Sequence, residues 1–157
     1  MKTLLLLRHA KSSWDDATLS DHERPLNRRG RAAAPRMGQL IDRQHLRPDL
    51  MLCSTALRAR QTCELVSREW KPPVATRFLD EMYHCAADDF ADLLRPLPEN
   101  VERVLLIGHN PGLADYLAAV ADEELPFPTA ALACPPAGRA RAARTIRLCL
   151  RPRAHLV

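Results

Sequence analysis

Leu4-Leu5-Leu6-Leu7-Arg8-His9-Ala10-Lys11-Ser12-Ser13-Trp14 joins a short apolar run directly to a basic pair. Successive leucines without polar alternation read as a strand buried on both faces. The run ends abruptly at Arg8 and His9, which places them at the strand's carboxyl end. Open α/β sheets bind their ligands outside those ends. The same construction returns far along the chain as Val104-Leu105-Leu106-Ile107-Gly108-His109-Asn110-Pro111. Two buried strands therefore each deliver a histidine to what is expected to be one sheet edge. The pattern suggests chemistry at imidazole nitrogen, with an arginine nearby for an anion.

The rest of the composition bounds the reading. A chain of 157 residues, 46% hydrophobic and 27% charged, is expected to form a single globular domain, 1–157. The formal charge of +4 fits an anionic ligand without establishing one. Aromatic residues make up only 4% and do not interleave with the basic ones, which argues against nucleic acid. Leu4 to Leu7 is too short for a signal core or a membrane span, so no membrane association is expected. The five cysteines (Cys53, Cys63, Cys85, Cys134 and Cys149) are odd in number and form no C-x-x-C pair. They read as small hydrophobes in a reducing, cytoplasmic setting, not as a disulfide frame or zinc site.

Strand–helix alternation organises the chain. A first strand spans about Lys2 to Arg8, followed by a polar loop to Pro25. Asn27 can cap a helix to about His45, whose first turns carry Arg28, Arg29 and Arg31 against the helix dipole, an odd choice unless an anion or acidic partner is near. Pro35 costs an interior helix about 3 kcal/mol, so a kink or a later start is expected. Asp49 to Cys53 reads as a strand, and Ser54 or Thr55 as the cap of a helix to about Glu69. A strand at Val74 to Phe78, a short helix at Asp88 to Leu94 and a strand at Glu102 to Ile107 follow. Pro111 suits a first helical turn, with Asn110 as cap. Ala130 to Cys134 and Thr145 to Leu150 read as paired strands about Pro135-Pro136-Ala137-Gly138. The arginines of the tail (Arg139, Arg141, Arg144, Arg147, Arg151 and Arg153) read as solvated protection of an edge strand. The expected architecture is a three-layer α/β/α sandwich, its central sheet mostly parallel with an antiparallel edge.

Four residues stand out as chemistry. A neutral His9 imidazole is a nucleophile toward phosphorus if its other nitrogen is fixed by an acceptor. Arg8 offers a planar fork matched to phosphate oxygens. Arg58, in the first turn of a helix that follows a strand, can lean over the sheet edge; Arg60, two positions on, faces another way. His109 can donate to a phosphoryl oxygen, with Gly108 letting the backbone approach a ligand closely.

Arg8-His9, Arg58 and Gly108-His109 together resemble the histidine phosphatase superfamily, the phosphoglycerate-mutase-like fold. Arg8-His9-Ala10-Lys11-Ser12-Ser13-Trp14 and Asp21-His22-Glu23-Arg24-Pro25-Leu26-Asn27-Arg28-Arg29-Gly30 are similar to its SixA branch of phosphohistidine phosphatases. The likeness runs from roughly Thr3 to Ala119. Ala10 stands where the superfamily usually has glycine. The resemblance implies that His9 is the nucleophile that becomes phosphorylated, that Arg8, Arg58 and His109 form the phosphate pocket, and that neither metal nor cofactor is needed. Mutase-like members place an acid in the region of Leu79-Asp80-Glu81-Met82-Tyr83, so Glu81 is either that proton donor or a solvated loop acid. A phosphohistidine's imidazole leaves far more readily than an alkoxide, so positioning and charge neutralisation can suffice without a donor. The chain has little room for an inserted lid, which suits a phosphohistidine-bearing protein as partner. Two alternatives stay open: a small-molecule phosphomonoesterase or mutase, and a phosphate-binding module without turnover. Lys11, Ser12 and Ser13 are candidates for phosphate or partner contact, Trp14 for packing, and His22, His45, His84 and His155 for surface or loop positions.

Overall fold

The computed structural model describes residues 3–121, 124–135 and 147–150. Its strands are β1 (Thr3–Arg8), β2 (Leu50–Ser54), β3 (Ala75–Leu79), β4 (Arg103–Gly108), β5 (Leu132–Cys134) and β6 (Arg147–Leu150). They form one sheet in the order β3-β2-β4-β1-β5-β6. The first four are parallel to one another, and β5 and β6 continue the sheet antiparallel from β1. The sheet is therefore mostly parallel with an antiparallel edge, as expected.

Side chains alternate across a strand, so an unbroken apolar run feeds two cores at once. Leu5 and Leu7 of β1, Met51 and Cys53 of β2, and Leu105 and Ile107 of β4 share one cluster with Met37, Ile41, Cys63 and Val66. The last four belong to helices α1 (Arg28–Arg43) and α2 (Leu57–Ser67). Leu6, Leu52 and Leu106 join the opposite cluster with Phe90, Leu113 and Leu117, from α3 (Asp89–Leu94) and α4 (Gly112–Ala121). Each fully buried leucine contributes roughly 1.5–3 kcal/mol. Helices thus cover both faces of the central strands, and no helix among the described residues is long and apolar enough to cross a membrane.

Asn27 does cap α1, its side chain accepting from the Gly30 N–H at 2.9 Å. The later start expected from Pro35 does not occur: the helix runs through it. Its buried stripe of Ala34, Met37, Gly38 and Ile41 packs along the sheet and α2, and that packing outweighs one lost hydrogen bond. Gly38 is required there, because a Cβ would lie 1.9 Å from the Val66 carbonyl oxygen.

Two other expected caps are corrected. The N-cap of α2 is Ala56, with no side-chain bond; Ser54 and Thr55 have other partners. Pro111 lies just before α4, and the Asn110 side chain donates to the Phe127 carbonyl at 2.8 Å instead of capping. After β1, residues 11–13 pair back against 25–27: the Ser13 N–H donates to the Pro25 carbonyl and the Asn27 N–H to that of Lys11. Gly30 lets α1 abut this turn, since a Cβ would meet the Lys11 carbonyl. Residues 136–138 of the expected closing turn, His155, and the side chains of Cys149 and the tail arginines lie outside the described residues.

Candidate active site

The register of β1 and β4 sets Arg8 opposite Gly108, so the next residues, His9 and His109, leave the sheet side by side. The His9 N–H extends the ladder by donating to the Gly108 carbonyl at 3.0 Å. The two imidazole centroids are 5.0 Å apart. A Cβ at Gly108 would stand 3.6–3.7 Å from side-chain atoms of Leu113 and Met82, ordinary van der Waals contact.

The surroundings of His9 fix its tautomer. Nδ1 lies 2.7 Å from the Ala10 carbonyl oxygen, which only accepts, so Nδ1 carries the proton. Nε2 lies 3.3 Å from Arg58 Nε, which only donates, so Nε2 carries no proton and its lone pair accepts that bond. Burial, reinforced by the charges of Arg58, Arg8 and Arg24, pushes the imidazole down to about 4 against the opposing pull of the Ala10 bond. At neutral pH His9 is an uncharged base with its lone pair among cations. Such a nitrogen can attack an electrophilic phosphorus.

Arg58 is 5% exposed and is the second residue of α2. Its Nη1 donates to the Asp21 carbonyl and its Nη2 to Asp21 Oδ2 at 2.9 Å. Arg60 is exposed, over the Phe78 ring at 5.2 Å, and has no part in the cluster. Arg8 donates from Nη1 to the Phe127 carbonyl at 3.1 Å, while its Nε is buried without a partner among the described residues. Burial and the nearby Arg58 lower its pKa. His109 approaches Ser54 Oγ through Nε2 at 2.8 Å, and its Nδ1 is also buried and unpartnered. Burial first, then His9 and Arg58, pushes it down to about 3. His9, Arg8, Arg58 and His109 thus form one basic cluster with N–H groups to spare for an oxyanion.

Glu81 does not join them. It is exposed, in the short 3-10 turn Asp80–Met82, and no hydrogen bond or ion pair among the described residues involves it.

Four residues of the site were not singled out from sequence. Asp21 supplies its carboxylate, accepting from Tyr83 Oη at 2.6 Å, from Arg24 and from Arg58. These bonds, the Tyr83 one foremost, hold the carboxyl well below the usual range. Tyr83 also lies edge-on to His109, 5.6 Å between centroids, and to His22. Thr62 links the two chain segments, accepting from the Ala10 N–H at 3.0 Å and donating to the Arg58 carbonyl at 2.7 Å. Ser54 is the fourth. It ends β2 as His9 and His109 follow β1 and β4, so the strand-end rule that marked the histidines also marks it.

Of the loop residues after His9, Ser12 is buried and accepts from Arg24 Nη1 at 2.7 Å, and Ser13 donates to Asp15. Lys11 is exposed. Trp14 is 71% exposed, its ring under the Arg24 guanidinium at 3.5 Å. His22 is half-buried beside Thr55 Oγ1 at 3.1 Å. His45 and His84 are exposed. No group of three or more His, Cys, Asp and Glu among the described residues is placed to hold a metal ion.

Known proteins bear on this arrangement. An uncharacterized chloroplastic protein of Arabidopsis thaliana is 33% identical over 120 residues, 71% of this chain and 55% of that protein. An uncharacterized protein of Mycobacterium tuberculosis is 33% identical over 117 residues, 73% of this chain and 71% of its own. The chain thus spans little more than half of the plant relative. Among solved structures, a protein of Agrobacterium tumefaciens proposed to be the phosphohistidine phosphatase SixA is 36% identical, with a TM-score of 0.78 over 85% of this chain and 90% of that one. The protein histidine phosphatase SixA complexed with tungstate is 29% identical, with a TM-score of 0.75 over 84% and 86%. The model of the histidine phosphatase superfamily, branch 1, matches residues 4–103. The chain belongs to the histidine phosphatase superfamily.

Proposed function

We propose that this protein is a phosphatase that removes phosphoryl groups from histidine on a protein, through a covalent phosphohistidine on His9. The observation that carries the reading is the state of His9: neutral, buried, its Nδ1–H fixed on the Ala10 carbonyl and its Nε2 lone pair set among Arg8, Arg58 and His109. In the first step Nε2 forms a bond to phosphorus as the bond from phosphorus to the substrate's imidazole breaks. That ring, already protonated on its other nitrogen, departs with the bonding electron pair as a neutral imidazole. Phospho-His9 keeps its Nδ1–H, so its ring is cationic and is itself a good leaving group. Water then attacks phosphorus, inorganic phosphate departs, and His9 returns to its starting tautomer. Arg8, Arg58 and His109 neutralise charge on the transferred group throughout.

The choice of leaving group is supported by the place of Glu81, the acid that mutase-like members would use as proton donor. An alkoxide needs a proton in the transition state, and Glu81 is exposed and unbonded. A phosphohistidine ring already protonated on its other nitrogen does not need one. The SixA proteins that this chain is similar to are named for phosphohistidine, which supports the same choice.

The test compares kcat/KM on a phosphohistidine peptide with kcat/KM on a sugar phosphate and phosphoglycerate. Phosphohistidine should be much the faster, and Glu81→Gln should change its rate by less than about tenfold, or 1.4 kcal/mol. Acid and alkaline quenching should trap an acid-labile, alkali-stable phosphoenzyme that His9→Ala abolishes. If an alkyl phosphate wins and Glu81→Gln removes that activity, the protein is a small-molecule phosphomonoesterase or mutase. Near-normal turnover by His9→Ala removes the covalent mechanism altogether.

A further inference from the structure

His9 has its tautomer set by two partners of fixed character. His109 has one partner of ambiguous character, the Ser54 hydroxyl, and the ambiguity can be resolved by counting. A hydroxyl has one hydrogen and two lone pairs. Ser54 is fully buried. The Ala56 N–H donates to its oxygen at 3.3 Å, which takes one lone pair. His109 Nε2 stands 2.8 Å away, and the Ser54 hydroxyl has no other hydrogen-bond partner among the described residues.

Two arrangements are possible. If His109 carries its proton on Nε2, it donates to the remaining Ser54 lone pair. The hydrogen of the fully buried Ser54 then has no acceptor, which buried polar groups rarely tolerate. His109 Nδ1 would be a bare lone pair in a cluster rich in arginine N–H donors, yet none of them bonds to it. If the proton is on Nδ1, Ser54 donates its one hydrogen to Nε2, and only an acceptor lone pair is left over. The remaining group without a partner is then an N–H, the same kind of group as the orphaned Arg8 Nε.

We propose that Ser54 is a positioning residue that fixes the His109 proton on Nδ1, so that His109 meets the phosphoryl group as an uncharged hydrogen-bond donor. Both histidines then carry Nδ1–H and do opposite work. His9 turns its bare Nε2 toward phosphorus, and His109 turns its Nδ1–H toward a phosphoryl oxygen. The strand end Ser54 and the helix residue Arg58 are four positions apart, so one connection sets both partners of the anion. The proposal rests on the reading that His109 faces the transferred group. It does not depend on which leaving group that phosphoryl carries.

Long-range ¹H–¹⁵N correlation spectra of the ¹⁵N-labelled full chain, free of phosphate at pH 7, read the tautomer directly. His109 is identified by its loss in His109→Gln. In the ring, Nε2 couples strongly to both carbon-bound protons and Nδ1 strongly to one, which tells the nitrogens apart. The expected spectrum has a protonated Nδ1 and a bare Nε2. A protonated Nε2, or an average of the two tautomers, overturns the proposal without reference to any substrate. Ser54→Ala should shift His109 toward the average and lower kcat by roughly tenfold, short of the hundredfold or more that outright loss of such a donor costs. Ser54→Thr should retain the wild-type spectrum. A wild-type His109 spectrum in Ser54→Ala also overturns the assignment, and the native spectrum remains decisive if that variant does not fold. Titration with inorganic phosphate separates the two readings. A protonated Nδ1 that ignores phosphate removes His109 from the site, whereas movement on binding supports its role as donor.

Discussion

Burying two imidazoles beside three arginines removes their charge, and for His9 this is what makes a nucleophile. The cations are not interchangeable. Arg58 is 5% exposed, touches His9 Nε2 and is held by Asp21, whereas Arg60 lies in solvent over Phe78. Removing a charged partner from a desolvated site typically costs 2–5 kcal/mol. Arg58→Ala should therefore weaken orthovanadate binding by about thirtyfold or more in calorimetric titration, and Arg60→Ala by less than about threefold. The reverse order would show that the anion lies elsewhere. His9, Arg8 and His109 were legible because each sits where a buried apolar run stops, a signal carried by a few adjacent residues. Arg58 was legible from its place in the first turn after a strand. Asp21 and Tyr83 were not. Their partners lie far along the chain, Asp21 Oδ2 taking bonds from both Arg58 and Tyr83, and no local pattern encodes such a meeting.

Elements were read more reliably in kind than in their ends. Apolar runs and proline breaks locate β1, β2, β4 and α2, but caps depend on what a side chain finds in space. Ser54 and Asn110 have cap chemistry, yet His109 and the Phe127 carbonyl claim them. Pro35 shows the converse, a local penalty outweighed by packing on α2. That packing makes its own prediction. Gly38→Ala would place a Cβ 1.9 Å from the Val66 carbonyl oxygen, and backbone cannot swing aside as a side chain can. Overpacking costs about 1–3 kcal/mol, which in a domain of this size lowers Tm by roughly 2–4 °C per kcal/mol. Gly108→Ala should do far less, because its nearest contacts are side-chain atoms of Leu113 and Met82 at 3.6–3.7 Å, ordinary van der Waals distance. Calorimetry on both variants decides the matter. Equal melting temperatures would mean that α1 and α2 do not meet as closely as described.

At the scale of the whole molecule, the sheet order sets β4 between β1 and β2. One edge thereby gathers His9, His109 and Ser54, with Arg58 and Asp21 closing over them. Bringing these groups together has a cost that depends on pH. His9 and His109 are pushed down to about 4 and about 3 in the folded protein, while an unfolded histidine titrates near 6.5. Between those values the unfolded chain binds protons that the folded chain refuses, so stability is full above about pH 6.5 and falls from there until the pH reaches the folded values. Asp21 acts in the same direction at lower pH, since its carboxylate is held deprotonated by Tyr83, Arg24 and Arg58 in the fold. Each histidine kept neutral contributes a slope of up to about 1.4 kcal/mol per pH unit. Urea unfolding at intervals from pH 7 to 4.5 should show stability falling steadily. His109→Gln should reduce the slope by about one proton, although the variant differs from the wild type at neutral pH as well. A slope unchanged by His109→Gln would mean that His109 takes up its proton in the folded state. The His109 imidazole would then be charged at mildly acidic pH and the cluster more open to solvent than its burial implies.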